Sequence, residues 1–143
     1  MFKQKESNGK NIQPKQSAVG KVFRGKTKYI DKDDKPERNY VVVIDKGKHV
    51  SVAKLKTIKI FDENGKNADK ALVEINATRY GLKKRTGVDF QRFSKNRMSG
   101  KPLKLSDKKV FPEQKERFSF SNRDKDKAVY HTRAKIRQKK DKN

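Results

Sequence analysis

Large apolar side chains are sparse before Ala18, recur in short bursts from Val19 to Phe111, and thin out again after Phe120. The densest burst, Tyr40-Val41-Val42-Val43-Ile44, is β-branched and too short for an ordinary helix, which predicts a buried central strand. Asp45-Lys46-Gly47-Lys48 supplies a hairpin turn, and His49-Val50-Ser51-Val52-Ala53 returns as the partner strand. Leu55, Ile58, Ile60 and Phe61 suggest another strand, closed by Asp62-Glu63-Asn64-Gly65 with its Asn-Gly turn signal. Ala71–Ile75 follows, then Val88–Phe93, which largely alternates apolar and polar as a half-buried strand does. Leu103 and Leu105 alternate in the same way. Upstream, Val19, Val22, Phe23, Tyr29 and Ile30 lead into the polar stretch Asp31–Glu37, whose Asp/Pro chemistry favours a turn or loop.

Five or more short strands without a long helical repeat indicate a small antiparallel barrel, because a closed sheet hides its own edges and needs few apolar residues. The expected fold is an SH3-like small β-barrel over residues 18–111. It is flanked by a disordered basic tail, residues 1–17, and a basic carboxyl-terminal extension, residues 112–143, that is partly helical. Phe111, Phe118 and Phe120 are available to anchor the extension on the barrel. Ser121-x-x-Asp124 resembles a capping box opening a helix over Asp124–Gln138. With only Ala128, Val129, Ala134 and Ile136 as apolar contacts, that helix is expected to form fully only against a partner.

Charge changes the picture more than composition does. Of 143 residues, 40 are Lys or Arg and 17 are Asp or Glu, a formal charge of +23 on a chain that is 31% hydrophobic. Such a charge opposes compaction and calls for a polyanionic partner, nucleic acid first of all. The basic segment near the carboxyl terminus has almost no apolar face, so no membrane partner is expected. No apolar run is long enough for a membrane span, and residues 1–16 lack the apolar core of a secretory signal, which gives a cytoplasmic expectation. Zero cysteines exclude disulfides and thiolate chemistry, and two histidines leave little for an imidazole metal site, so no metal or cofactor is expected.

Three groups of residues invite a chemical role. Arg38 follows the acidic loop at the start of the Tyr40–Ile44 strand, where a guanidinium can clamp a phosphate, or else pair with Glu37 or Asp34 as an ordinary solvated arginine. His49 and His131 titrate near neutrality, but one begins a strand and the other sits in the appended helix, which argues against a designed pair. The run Arg79-Tyr80-Gly81-Leu82-Lys83-Lys84-Arg85-Thr86 gathers four cations and an aromatic around a glycine. Such a loop can hold a phosphate while Tyr80 stacks on a base. It can equally be a turn, with Tyr80 in the core and Gly81 at positive φ. Phosphate-loop, zinc-protease and nucleophile-elbow motifs are all absent.

The segment from Val73-Glu74-Ile75-Asn76 through Tyr80-Gly81-Leu82 to Thr86 resembles the "V-E-I-D-x-x-x-Y-G-L-x-x-x-S" segment of the PemK/MazF-like endoribonuclease toxins. Gly20-Lys21-Val22-Phe23 is similar to that family's opening strand, Arg38-Asn39-Tyr40-Val41-Val42-Val43-Ile44 to its "R-P-V-x-V-I" strand, and Lys95-Asn96-Arg97-Met98 to its Lys-x-Arg-hydrophobe element. The resemblance runs in order over residues 20–107. It implies an SH3-like barrel that cleaves single-stranded RNA without metal, leaving a 2′,3′-cyclic phosphate, and that an acidic antitoxin protein neutralises. Carried over by position, Arg38 serves proton transfer and phosphate stabilisation, and Thr57 hydrogen-bonds the scissile phosphate. Arg79, Tyr80, Lys83, Lys84, Arg85, Arg92, Lys95 and Arg97 are then the expected nucleic-acid contacts. The family's homodimer has no support in the carboxyl-terminal sequence, where Pro112 and a basic tail replace its amphipathic helix. Charge alone also fits a non-catalytic RNA- or DNA-binding protein on the same barrel, such as a mobile-element accessory factor.

Overall fold

The structure is a computed structural model describing residues 17–141, with side chains to Arg137; all but Ser17 of the expected amino-terminal tail lies outside the described residues. Strand β1 (Lys21–Lys26) passes through a single helical turn, α1 (Thr27–Ile30), and an acidic loop into β2 (Glu37–Asp45), beside which β3 (Val50–Thr57) returns. After β3 come β4 (Leu72–Glu74), a 3-10 turn (Ala77–Tyr80), β5 (Thr86–Phe93), β6 (Phe118–Ser119) and helix α2 (Asn122–Asp141). The strands make one curled, wholly antiparallel sheet in the order β4-β5-β3-β2-β1-β6. The protein is therefore mainly antiparallel β with a carboxyl-terminal helix, and β2 and β3 occupy the centre as their sequences predict.

Tyr40–Ile44 is apolar throughout because the sheet is buried on both faces. Phe23, Tyr40, Val42, Val50 and Val52 pack into one cluster, closed by Ile30, Leu103, Val110 and Phe111. Alternate residues Val22, Val41, Val43, Ala53 and Leu55 pack into the other, closed by Ile75, Val88, Phe90, Phe120 and Ala128. An irregularity between Val42 and Ile44 shifts the register with β3, and both Val43 and Ile44 then join the second cluster.

Two expected strands are replaced by irregular chain. Leu55 ends within β3, whereas Ile60 and Phe61 are exposed at 55% and 42%, and Phe61 makes only an isolated bridge to Asn67. The Asp62 side chain takes the N–H groups of Asn64 and Lys66, so turn chemistry wins over strand propensity there. Leu103 is buried as predicted, yet it sits between single backbone bonds to Val50 and Ser94, and the preceding Pro102 has no N–H to offer a ladder.

The helix also departs from expectation. It begins at Asn122, with Ser121 Oγ accepting from the Asp124 N–H at 3.3 Å, but Asp124 does not complete a reciprocal capping box. Its carboxylate accepts instead from the Tyr80 hydroxyl at 2.5 Å and the Asn76 N–H at 3.1 Å. Tyr80 Oη in turn accepts from Ser121 N–H at 2.8 Å, and its ring stacks on Phe118 and Phe120. Ala128 is buried and His131 stacks on Phe90, so α2 is seated on this chain's own sheet and not formed only against a partner.

β1 needs a glycine where it crosses beneath Tyr40. A Cβ on Gly25 would lie 2.8 Å from Ile30 Cδ1 and 2.9 Å from the Tyr40 ring, closer than packed carbon atoms tolerate. Gly25→Ala is expected to destabilise the fold by about 1–3 kcal/mol, the usual cost of an overpacked core. Urea denaturation checks this, and an unchanged midpoint would contradict the packing of Tyr40 over β1.

Candidate nucleic-acid cleft

The pairing of Thr57 with Thr86 at the end of the β3–β5 ladder brings the Leu82–Arg85 loop over the end of β3. Between that loop and the start of β2 lies a cleft of about 390 Å³. Its walls carry six cations: Arg24 from β1, Lys35 and Arg38 before and within β2, Lys56 from β3, and Lys83 and Lys84 from the loop. Leu55 and Leu82 add apolar surface, and Thr57 and Thr86 add hydroxyls. Glu37 is the one acidic residue in this lining, and it is engaged by Arg24 Nε at 3.0 Å. A concave surface of this charge suits a polyanion, with the leucines placed for apolar contact with a base. Asn39 also lines the cleft, and its Oδ1 is buried without a protein donor.

Arg38 is not an ordinary solvated side chain. Its Nε donates to Asp33 Oδ2 at 2.6 Å, while Nη2 lies 3.7 Å from the exposed Asp34. Asp33, with a side chain only 3% exposed, also accepts from Lys54 Nζ at 2.8 Å, and Lys54 donates in addition to Asp31. Burial pushes the Asp33 carboxyl upward, but the hydrogen bonds from Arg38 and Lys54 outweigh it and hold the group well below the usual carboxylate range. Burial alone would lower the Lys54 ammonium, yet Asp31 and Asp33 raise it. A depressed carboxylate stabilises the fold above the ordinary Asp range, near 4, and loses that contribution as pH falls toward its folded-state value. Tyr40, next to these charges, has its hydroxyl pushed up by burial and then by Asp31 and Asp33.

The expected contacts divide among several places. Arg38, Thr57, Lys83 and Lys84 come together in the cleft. Tyr80 does not join them: its ring and hydroxyl lock α2 to the sheet, where stacking on a base is blocked. Arg85 is likewise committed. Its Nε and Nη2 pair with Glu74 at 2.7 and 2.8 Å, Nη1 donates to the Gly65 carbonyl, and its guanidinium lies over the Phe61 ring. Arg79 is exposed on the 3-10 turn, and Lys95 is exposed beside its bridge to Pro102; neither lines the cleft. Arg92 lines a separate groove of about 680 Å³ with His131, between β5 and α2. Arg97 reaches across to the Asp31 carbonyl at 3.0 Å. Neither histidine lines the cleft.

In sequence nothing distinguishes Arg24 and Lys35 among 40 cations, and Lys56 stands out only as the neighbour that competes with Thr57 for its aligned position; the fold brings all three to the cleft. No family model matches the chain, no curated protein matches it, and no solved structure matches it.

Reassigning Tyr80 from ligand to lock has a measurable outcome. Tyr80→Phe keeps the stacked ring but strips the Asp124 carboxylate and the Ser121 N–H of a partner, which costs about 1–3 kcal/mol for buried groups. Thermal melting should shift down; an unchanged midpoint would contradict the lock between Tyr80 and Asp124.

Proposed function

We propose that this chain is an endoribonuclease of the PemK/MazF-like kind on an SH3-like barrel, holding single-stranded RNA in the cleft and cleaving its backbone beside Arg38 and Thr57. The supporting observation is that these two residues, carried over by motif from separate strands, line one concavity with five further cations. In this reading the 2′-oxygen attacks the adjacent phosphorus, the bond to the 5′-oxygen breaks, and a 2′,3′-cyclic phosphate and a 5′-hydroxyl result. Glu37 accepts the 2′ proton, and a water supplies the proton taken by the departing oxygen. Arg38 N–H groups and the Thr57 hydroxyl bear on the phosphoryl oxygens as negative charge builds. Lys83 and Lys84 hold flanking phosphates, and an acidic antitoxin protein is complementary to the same walls.

One observation favours a second reading, a binding module without catalysis: no histidine, the commonest general acid or base, lines the cleft. Incubation with single-stranded RNA of mixed sequence in EDTA separates the two. New 2′,3′-cyclic phosphate ends support the nuclease, and intact RNA of retarded mobility supports the binder.

Arg38→Ala is expected to slow cleavage by about 100-fold or more with affinity nearly unchanged, the scale of losing a preorganised oxyanion donor. Arg38→Lys keeps the charge but loses the planar fork, and should bind as the parent does without restoring cleavage. Parental cleavage by Arg38→Ala would remove Arg38 from the reaction. The Lys83→Ala/Lys84→Ala double variant should weaken RNA binding and flatten its dependence on salt by about two counterions, measured by fluorescence anisotropy between about 50 and 200 mM salt. An unchanged salt slope would place the RNA elsewhere.

A further inference from the structure

Strand alternation sets a problem at Arg38. Asn39 and Leu55 share the face of Val41 and Ala53, whereas Arg38 follows Tyr40 onto the opposite face, toward the buried Lys54. A guanidinium there serves a phosphate in the cleft only if something fixes the direction of its free edge. A guanidinium has two edges that take an oxyanion bidentately, one formed by Nε and Nη2 and the other by Nη1 and Nη2. Asp33, 2.6 Å from Nε, takes the first edge, while the exposed Asp34 stays 3.7 Å from Nη2, beyond hydrogen-bond distance. Among the described residues the one hydrogen bond made by the Arg38 guanidinium is that from Nε, so Nη1 and Nη2 keep their N–H groups for another acceptor.

We propose that Asp33 is a positioning residue: held by Lys54 Nζ, it takes the Nε edge of Arg38 and presents the Nη1–Nη2 edge to an RNA phosphate. The inference rests on the proposed site at Arg38 and adds the device that aims it. Three features carry it. Asp33 is nearly out of solvent, so its position is set by the fold and not by a mobile surface chain. Lys54, whose side chain is 9% exposed, gives Asp33 a second donor at 2.8 Å, so the carboxylate cannot swing away from Arg38 without taking one of its two acceptors from a buried ammonium. Asp31 supplies Lys54 with its other partner, so the two hydrogen-bonded carboxylates, Asp31 and Asp33, match the two cations Lys54 and Arg38. The acidic loop Asp31-Lys32-Asp33-Asp34 thus aims a cation on a surface otherwise crowded with them.

Asp33→Asn separates orientation from charge, because it removes a negative charge next to the cleft. If Arg38 acts as a mere charge, the variant should bind RNA as well or better and cleave at the parental rate. If Asp33 positions Arg38, kcat should fall by about tenfold or more with KM unchanged or lower, and Asp33→Glu should recover part of the loss. A parental kcat for a folded Asp33→Asn protein overturns the proposal.

A second measurement stands independently of turnover. In ¹⁵N spectra of the arginine side chains, a 2′-O-methyl oligoribonucleotide, which cannot be cleaved, should shift the Arg38 Nη signals of the parent while Nε keeps its hydrogen-bonded position. In Asp33→Asn the Nε signal should move to the solvent-exposed position and the oligonucleotide should no longer shift Nη. Arg38 Nη signals unmoved in the parent, or moved equally in both proteins, overturn the positioning role. Absence of cleavage by the parent with the Nη shift intact would instead refute the nuclease reading and leave Asp33 aiming a binding arginine.

Discussion

A lysine buried in the middle of a sheet constrains everything around it. Lys54 stands opposite Tyr40 on the face that Val42, Val50 and Val52 make apolar, and its ammonium is accommodated only because Asp31 and Asp33 come to meet it. An isolated charge in such a place is strongly unfavourable, and a lone carboxylate beside it would be equally so; the pair is tolerated because each partner is hydrogen-bonded. That requirement folds the 31–36 loop back against the sheet. The loop in turn seizes Arg38, and Arg38 stands at the wall of the cleft. The chain from a core lysine to a surface arginine is continuous, and each link is a hydrogen bond.

A second lock closes the other side of the molecule. Asp124, 2% exposed, ties the first turn of α2 to Tyr80 and Asn76, so the 3-10 turn and the helix are fixed by one carboxylate. The Leu82–Lys84 loop follows this turn directly, with Gly81 in the left-handed region at φ 72° ending it. Lys83 and Lys84 therefore stand over the end of β3 because Tyr80 is held below. Both locks use buried acids in a chain of formal charge +23, and the first of them ends on Arg38 at the cleft wall while the second sets the loop that brings Lys83 and Lys84 to it.

The central strands were legible because their pattern has a single physical meaning: a short β-branched run flanked by turn residues. β2, its Asp45–Lys48 turn and the returning β3 follow from it, and β5 follows from the period-two alternation of Val88–Phe93. Burial at Leu103 and Phe111 was legible too, but not the irregular backbone that carries them, because periodicity records which side chains are hidden and not how the chain is bonded. Lys54 was invisible. In a strand that reads Val-Ala-Lys-Leu-Lys, nothing local says that this lysine turns inward while Lys56 reaches the cleft; the difference lies in an acidic loop about twenty residues upstream. The run around Tyr80 and Arg85 allows two readings in the sequence, a phosphate-holding loop or a turn with Tyr80 in the core and Gly81 at positive φ, and the second describes Tyr80 and Gly81. Basic and aromatic residues beside a glycine suit a phosphate-binding loop equally well, and only the long-range partners Asp124 and Glu74 show that Tyr80 and Arg85 are spoken for.

The claim on which the functional reading stands is that RNA lies in the cleft and not along the basic helix. Photocrosslinking of single-stranded RNA carrying 4-thiouridine, followed by mass spectrometry of the attached peptides, tests it directly. Crosslinks are expected in the peptides holding Arg38, Lys56 and Lys83–Lys84, and should diminish with Lys83→Ala/Lys84→Ala. Crosslinks confined to α2, with the cleft peptides unmodified, would contradict it.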